Sequence, residues 1–548
     1  MKSHPYIALA FLICLMGCGG RQSSSNSVPT PTPTPPPTPT PTPVPAAASY
    51  VDCSAPSNGI GTQSSPWNTL TSVDATTFNP GDQIFFKRGM TCNGTLAPQG
   101  SGTTASPIVI DAYGTGPQPI IDGGMNLAAV QLTGQQGWEI NNLEVVGGNN
   151  YGVNIAGTAT NTAYTHFRLT NLNVHGAHYN SVSGNDSGEI FITIGNAGET
   201  FNDVVLDGVV AHDSHVYDGI YIDAGTYGTG PPLLGNNITV QNTTVYNIYG
   251  VGITLFVVAN GLMQNDVAYN AGLCPPNSGC PGGSAGLMTL YCHTCIMQNN
   301  ESYGNQTSNA YDGGDFDMDV WTNDNIVQYN YGHDSAGYCI AFFSADGVVG
   351  TNNIFRYNVC SDDSQLANIP DPGEIFLNTW NGGSLNGVQI YNNTFYWNPV
   401  TPGPAFSTTW ASYSGANANF FKNNIIYSTV PFLIETTTDF ALDNNIYWTV
   451  GTAPDWKINS VDYTALASYQ SATGQDAHSL FADPMLNTPA YHAVGRPVSA
   501  FTLLPGSPAI GAGVNVCSSI VGTCSMGTQD FWGNPLPTSS GYNIGAWQ

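Results

Sequence analysis

Val240-Gln241-Asn242-Thr243-Thr244-Val245-Tyr246 and Met297-Gln298-Asn299-Asn300-Glu301-Ser302-Tyr303 are two copies of one phrase: an apolar residue, an amide-rich step, then a ring. Thr170-Asn171-Leu172-Asn173-Val174-His175 is an earlier copy and Val327-Gln328-Tyr329-Asn330-Tyr331-Gly332-His333 a later one. The ring position recurs every ~20–37 residues from about residue 146 to about residue 447, a period that marks a solenoid rather than a closed domain. Each repeat holds short strands whose Val, Ile and Leu face inward, and successive coils stack ~4.8 Å apart. The asparagines Asn171, Asn242, Asn265, Asn299, Asn392 and Asn423 fall at one turn. There an amide tolerates a left-handed backbone and bonds its neighbours along the stack. His175, His212, Tyr246, Tyr269, Tyr303 and His333 predict a stacked aromatic ladder.

The composition agrees with an all-β repeat. Of 548 residues, 63 are glycine, 41% are hydrophobic and only 8% are charged, so a large core can be buried between many glycine and asparagine breaks. The formal net charge is −27 with nine Lys plus Arg, which repels a phosphate backbone and excludes nucleic acid as a partner.

Residues 1–18 read as an export signal. Lys2 precedes an apolar run from Ile7 to Leu15, and Leu15-Met16-Gly17-Cys18 resembles the cleavage box of a bacterial lipoprotein, which makes Cys18 the lipidated first residue of the mature chain. Residues 19–49 form a linker whose Pro-Thr repeat, Pro29 to Pro45, favours polyproline II and spaces the domain ~50 Å from its anchor at ~3.1 Å per residue. The expectation is a monomer held at the cell surface or outer membrane, or secreted, and touching the membrane only through its lipid. Ten cysteines follow the box, an even number suited to an oxidising compartment. Cys274 with Cys280 and Cys517 with Cys524 close small loops, and Cys53 with Cys92 and Cys339 with Cys360 pair on the same logic. Cys292-His293-Thr294-Cys295, with Cys274 and Cys280, is the alternative zinc set, against which its irregular spacing speaks.

Residues 50–548 are read as one domain: cap and first coils over 50–125, central coils over 126–450, and a C-terminal segment over 451–548. The entry block is Ser65-Pro66-Trp67-Asn68-Thr69-Leu70, Pro80-Gly81-Asp82-Gln83-Ile84-Phe85-Phe86 and Ile110-Asp111-Ala112-Tyr113-Gly114. The exit block is Phe481-Ala482-Asp483-Pro484, Gly506-Ser507-Pro508-Ala509-Ile510, Asp530-Phe531-Trp532-Gly533-Asn534-Pro535 and Ile544-Gly545-Ala546. With the repeats between them, these blocks resemble the right-handed parallel β-helix proteins of the pectate-lyase-like superfamily. The resemblance implies an all-β solenoid of about eleven or more coils. It leaves the reaction open, because the superfamily holds lyases, hydrolases, epimerases and non-enzymes.

One strand breaks the apolar pattern. In Asp312-Gly313-Gly314-Asp315-Phe316-Asp317-Met318-Asp319-Val320, alternation sends Phe316, Met318 and Val320 inward and Asp315, Asp317 and Asp319 together onto the outer face. Aligning the next coils on Gly337 and Gly373 sets Asp315, Tyr338 and Glu374 in one outward column. Asp315 and Glu374 are thereby two rungs apart, ~9.6 Å, near the spacing of inverting glycosidase carboxyls. The reading is a glycoside hydrolase with Asp315 and Glu374 as acid and base and Asp317 or Asp319 as the alternative second carboxylate. His333 and Tyr338 position substrate, and Asp334 orients His333. Tyr311, Trp321 and Trp380 stack on sugars, and His212, Asp213 and His215, with Asp218 to Asp223, extend the groove. The hydrolase needs no cofactor. In the competing reading Asp315, Asp317 and Asp319 hold Ca²⁺ for a polysaccharide lyase or epimerase. The lyase base would have to come from Arg168, Arg356 or Lys422, none of them in the aspartate column. A third class, a glycan-binding or adhesin surface, does not call for clustered carboxylates.

Overall fold

The structure, a computed structural model, describes residues 46–548 apart from 179–185, 229–230, 275–282, 308–310, 367–372, 417, 491–492, 497 and 520–523. Cys18 with its signal, the Pro29–Pro45 stretch and Cys280 lie outside the described residues.

The chain is a right-handed parallel β-helix. Three long sheets run along it, and each coil gives one strand to each in turn; the coil of Ile296–Gln298, Glu301–Tyr303 and Gly314–Met318 is an example. The first sheet starts at Ala48–Val51 and the second at Thr91–Asn93; the third runs from Ala128–Thr133 to Asp455–Ile458 and closes with the antiparallel Val461–Tyr463. Register stacks like on like inside the coil, as in Ile220–Ile253–Leu287–Phe316–Ile340–Ile375, all fully buried. Each such side chain contributes roughly 1.5–3 kcal/mol by leaving water.

The turn asparagines do what their chemistry allows. Asn171, Asn242, Asn265, Asn299, Asn392 and Asn423 are left-handed, with φ between 52° and 58°. The residue after each left-handed turn position carries a second column that points inward. Backbone N–H groups of Asn300, Asn330 and Asn358 each donate at 2.9 Å to the side-chain Oδ1 of Asn330, Asn358 and Asn393 one coil on. This ladder satisfies backbone groups that the turn would otherwise bury unpaired. On the outer side of the second sheet the rings of His175, His212, Tyr246, Tyr269, Tyr303 and His333 stack with centroids 4.8–4.9 Å apart, as the repeat predicts.

The C-terminal segment doubles back along the solenoid. Leu486, Phe501, Phe531 and Ile544 cover Tyr331, Tyr396, Ile425 and Ile446. Disulfides join Cys53 to Cys92, Cys339 to Cys360 and Cys517 to Cys524, and Cys274 is also disulfide-bonded. Cys292 and Cys295 are free thiols in the core, turned toward the backbone oxygens of Leu255 and Val258, which rules them out of the alternative zinc set.

Candidate functional site

The outer face of the third sheet carries a cleft of about 610 Å³. Its floor is set by register. One outward column is Tyr221–Thr254–Met288–Asp317–Ala341–Phe376. Beside it Asp223, Phe256 and Leu290 pair in turn, and Phe343 pairs with Asn378. Asp319 follows the strand end and continues the ladder through its N–H to the Thr289 carbonyl, which places it level with Leu290 and Phe343. Asp186, Asp218, Asp312, Asp317 and Asp319 line the cleft, among the rings of Tyr217, Tyr221, Tyr227, Phe256, Tyr311, Phe343 and Trp380. Among the described lining residues there is no Lys, Arg or His.

Asp317 and Asp319 are the central pair, two residues apart on one face and so ~6.6 Å apart along the strand. Asp317 is buried; Tyr338 donates to its Oδ2 at 2.9 Å, and its Oδ1 meets no donor. Burial, then repulsion from Asp319 and Asp312, pushes the Asp317 carboxyl well above the usual range. Asp319 is partly exposed and its Oδ1 accepts the Val320 N–H at 2.7 Å. Desolvation pushes its pKa up to about 7 against that bond, with Asp312 adding repulsion. Two such neighbours titrate as a pair, and near neutral pH the pair holds about one proton. At the other end of the floor, burial raises Asp218 well above its ordinary value and Asp223 to about 7. Thr254 donates to Asp218 Oδ1 at 3.3 Å.

The register corrects the expected acid/base pair. Asp315 does stand two rungs from Glu374, but Cys339 lies between them, not Tyr338, because Phe316 pairs with Ile340 and Ile340 with Ile375. The Cys339 column also faces inward. It sits where the chain leaves the second sheet, a corner at which alternation no longer decides direction. Gly152, Glu189, Gly219, Gly252 and Gly286 precede Asp315 in it. A Cβ on Gly286 would lie 2.0 Å from Ser302 Oγ, which shows how closely that column approaches the second sheet. Asp315 Oδ1 accordingly accepts from Ser302, Asn305 and Ser335 inside the coil at 2.9, 2.9 and 2.7 Å. Asp315 and Glu374 are fully buried and neither lines the cleft. One Ca²⁺ cannot be held by Asp315, Asp317 and Asp319 together, since the first points into the coil and the other two into the cleft.

The remaining expectations divide. Tyr311 and Trp380 line the cleft, 43% and 41% exposed. Tyr338 is wholly buried beneath it, packed on Phe343 and Phe376, and reaches the cleft only through its bond to Asp317. Trp321 lies beyond the cleft lining, packed on Tyr291 and His293. His333 and Asp334 are on the second sheet. The ring bonds Asp334 at 2.7 Å as foreseen, but also Glu301 at 3.2 Å, and neither residue lines the cleft. Burial works against a charged ring there, yet the two carboxylate bonds hold the His333 pKa above its ordinary value. His212, Asp213 and His215 belong to the same outer ladder side, with His212 bonded to Asp213 at 2.9 Å and stacked on Tyr246. Arg168 pairs with Asp203 at 2.6 Å, and buried Arg356 is held by Gln328, Tyr391 and the Ser525 carbonyl. Neither they nor Lys422 reach the cleft. Sequence reasoning passed over Asp186, Asp312, Tyr217 and Tyr227, whose shared surface only the coil-to-coil register reveals.

No family model matches the chain. A curated lacto-N-biosidase of Bifidobacterium longum subsp. longum is 25% identical over 324 residues, 55% of this chain and 18% of that protein, so the chain spans less than a fifth of that relative. Among solved structures, the GH136 lacto-N-biosidase of Eubacterium ramulus superposes with a TM-score of 0.50 at 18% identity, over 74% of this chain and 68% of that one. The pectate lyase Pel9A aligns over 92% of this chain with a TM-score of 0.43 and 14% identity. The superposition on the GH136 enzyme shows a shared fold.

Proposed function

We propose that this protein is an exported glycoside hydrolase acting on uncharged polysaccharide or oligosaccharide chains in the third-sheet cleft. The carrying observation is the make-up of that cleft: five aspartates, seven aromatic rings and no basic side chain among its described lining. Five carboxyl groups repel a uronate, and β-elimination lacks the basic residue it would need there. The sugar-active relatives, among them the lacto-N-biosidase of B. longum, support the same class of reaction.

Asp317 is the general acid. Its unpartnered Oδ1 carries the proton that passes to the glycosidic oxygen as the C–O bond breaks, while Tyr338 steadies Oδ2. Asp319, the more exposed of the pair and the first to ionise, attacks the anomeric carbon or takes a proton from the attacking water. Water supplies the new hydroxyl, and Asp317 and Asp319 return to their starting protonation. Trp380 and Tyr311 stack on the pyranose rings at the rim. The hydrolysis itself uses no cofactor in the cleft, and the protein works as a monomer tethered outside the cell through Cys18 and the Pro29–Pro45 spacer.

A panel of neutral and acidic polysaccharides, each with and without EDTA, tests this. New reducing ends on neutral glycans without ultraviolet absorbance from an unsaturated uronate are expected. A chelator-sensitive rise in that absorbance points to a lyase and overturns the reading. Retention on immobilised glycan with no cleavage of any substrate reassigns the cleft to a binding surface.

A further inference from the structure

Inside the coil, behind the strand that carries Asp317, lies a second set of acids that the cleft chemistry does not use. Asp315 is the second residue of that strand, Glu374 directly precedes Ile375–Thr379 two coils on, and Asp363 follows Val359–Ser361 in the same coil as Glu374. All three are fully buried. Ser335 fixes one oxygen of each of two members: its hydroxyl donates to Asp315 Oδ1 at 2.7 Å and its backbone N–H to Asp363 Oδ1 at 2.9 Å. The other oxygens, Asp315 Oδ2, Asp363 Oδ2 and both of Glu374, meet no donor from outside the three acids, and Asp363 lies within bonding reach of both Asp315 and Glu374.

We propose that Asp315, Asp363 and Glu374 form an internal site for a hard divalent cation, Ca²⁺, that clamps three successive coils. Buried carboxyl groups with no donor from outside their own cluster are a costly arrangement for a fold to keep, and a cation bound among them would offset their mutual repulsion. The spacing of Asp315 and Asp363 suits the ion, and Glu374 adjoins the pair through its contact with Asp363. Ligand atoms of Asp315 and Asp363 lie within 4.8 Å of each other, and oxygens at ~2.3–2.6 Å on opposite sides of Ca²⁺ are separated by about that distance. Donor chemistry excludes a thiophilic metal. Cys339 and Cys360 adjoin the acids, but their sulfurs are bonded to each other and line one wall, leaving an all-oxygen set. Both nitrogens of the nearby His333 imidazole already face Asp334 and Glu301, and the ring's charge acts on Asp363 through space. The clamp would hold Asp315, and through two residues of strand would fix Asp317 at the cleft floor.

The site is independent of what the cleft cleaves, so its test reads metal and stability. The full chain is purified with CaCl₂, desalted, assayed for bound calcium by mass spectrometry, and melted in EDTA and in CaCl₂. About one tightly held Ca²⁺ per chain and a melting temperature several degrees lower in EDTA, restored by Ca²⁺ but not by Na⁺, are expected. Asp363→Asn and Glu374→Gln should lose both the ion and the Ca²⁺ response, while Asp319→Asn keeps them. If either interior variant fails to fold, the wild-type metal content and melts still decide. Wild-type protein without calcium and with equal melts in EDTA and CaCl₂ overturns the site, and means that the three acids share protons. Calcium that is lost in Asp319→Asn and kept in Asp363→Asn also overturns it, by moving the ion to the cleft.

Discussion

The cleft pair predicts an unusual acid limb in the pH–rate profile. Asp319 must be ionised to act as nucleophile or base, and burial lifts its pKa to about 7. At pH 7 about half of the molecules then carry Asp319 as carboxylate, at pH 6 about a tenth and at pH 5 about 1%. kcat/KM should therefore fall roughly 50-fold from pH 7 to pH 5, a slope approaching tenfold per unit, where an ordinary aspartate would leave activity flat. The assay is reducing-end release from a neutral glycan at low substrate concentration across pH 4 to 9. The limb should move to lower pH in Asp312→Asn, since Asp312 adds to the repulsion that raises both partners. Asp319→Asn should lose activity at every pH by a factor on the order of 10²–10⁴. A wild-type profile whose acid limb lies near pH 4 would refute the reasoning, because Asp319 would then titrate as a solvated carboxylate. The same shift bears on folding. Asp319 is easier to ionise unfolded than folded, so its contribution is full below its ordinary pKa and is lost as pH rises toward about 7.

Other expected outcomes follow from single contacts. Tyr338→Phe removes the donor to Asp317 Oδ2; leaving a buried carboxyl oxygen unpaired costs roughly 1–3 kcal/mol, so kcat should fall about 5- to 150-fold with the melting temperature slightly lowered. Trp380→Ala should raise KM about tenfold or more with little change in melting, as a rim stacking residue requires. Asn330→Ala strips the acceptor from the Asn300 N–H and the donor from the Met297 carbonyl; at roughly 1–3 kcal/mol per stranded group, chemical denaturation should show a loss well above a surface substitution. His333→Gln should leave glycan cleavage by folded protein unchanged. Because the His333 pKa is raised, wild-type stability from that ring is present at low pH and lost as pH rises through it, so the two proteins should converge in melting temperature in alkaline buffer.

The solenoid was legible because its signal is periodic and local. The apolar-amide-ring phrase gives the turn, the left-handed asparagines and the stacked ladder directly, and the structure keeps all three. The acidic strand of the cleft was also legible, since Asp317 and Asp319 break the apolar alternation where strand geometry is regular. Asp315 misled for a physical reason. Period two holds inside a strand, but residue 315 sits at a corner, and there Gly286 and Gly332 leave room for an inward carboxyl. The coil from 337 to 344 also runs one residue out of step with a glycine alignment, which shifted Tyr338 into the place of Cys339. His333 followed its ladder to the second sheet, while the cleft belongs to the third; no spacing along the chain distinguishes these faces. Asp186 and Asp312 lie in coils about 125 residues apart in sequence and meet only because successive turns stack.

The most direct test of the account is a crystal structure of Asp319→Asn soaked with a neutral oligosaccharide that the wild type cleaves. The account predicts sugar rings over Trp380 and Tyr311, with a glycosidic oxygen within ~2.6–3.2 Å of Asp317. Sugar seated instead along the His175–Tyr303 ladder of the second sheet, with the third-sheet cleft unfilled, would contradict it.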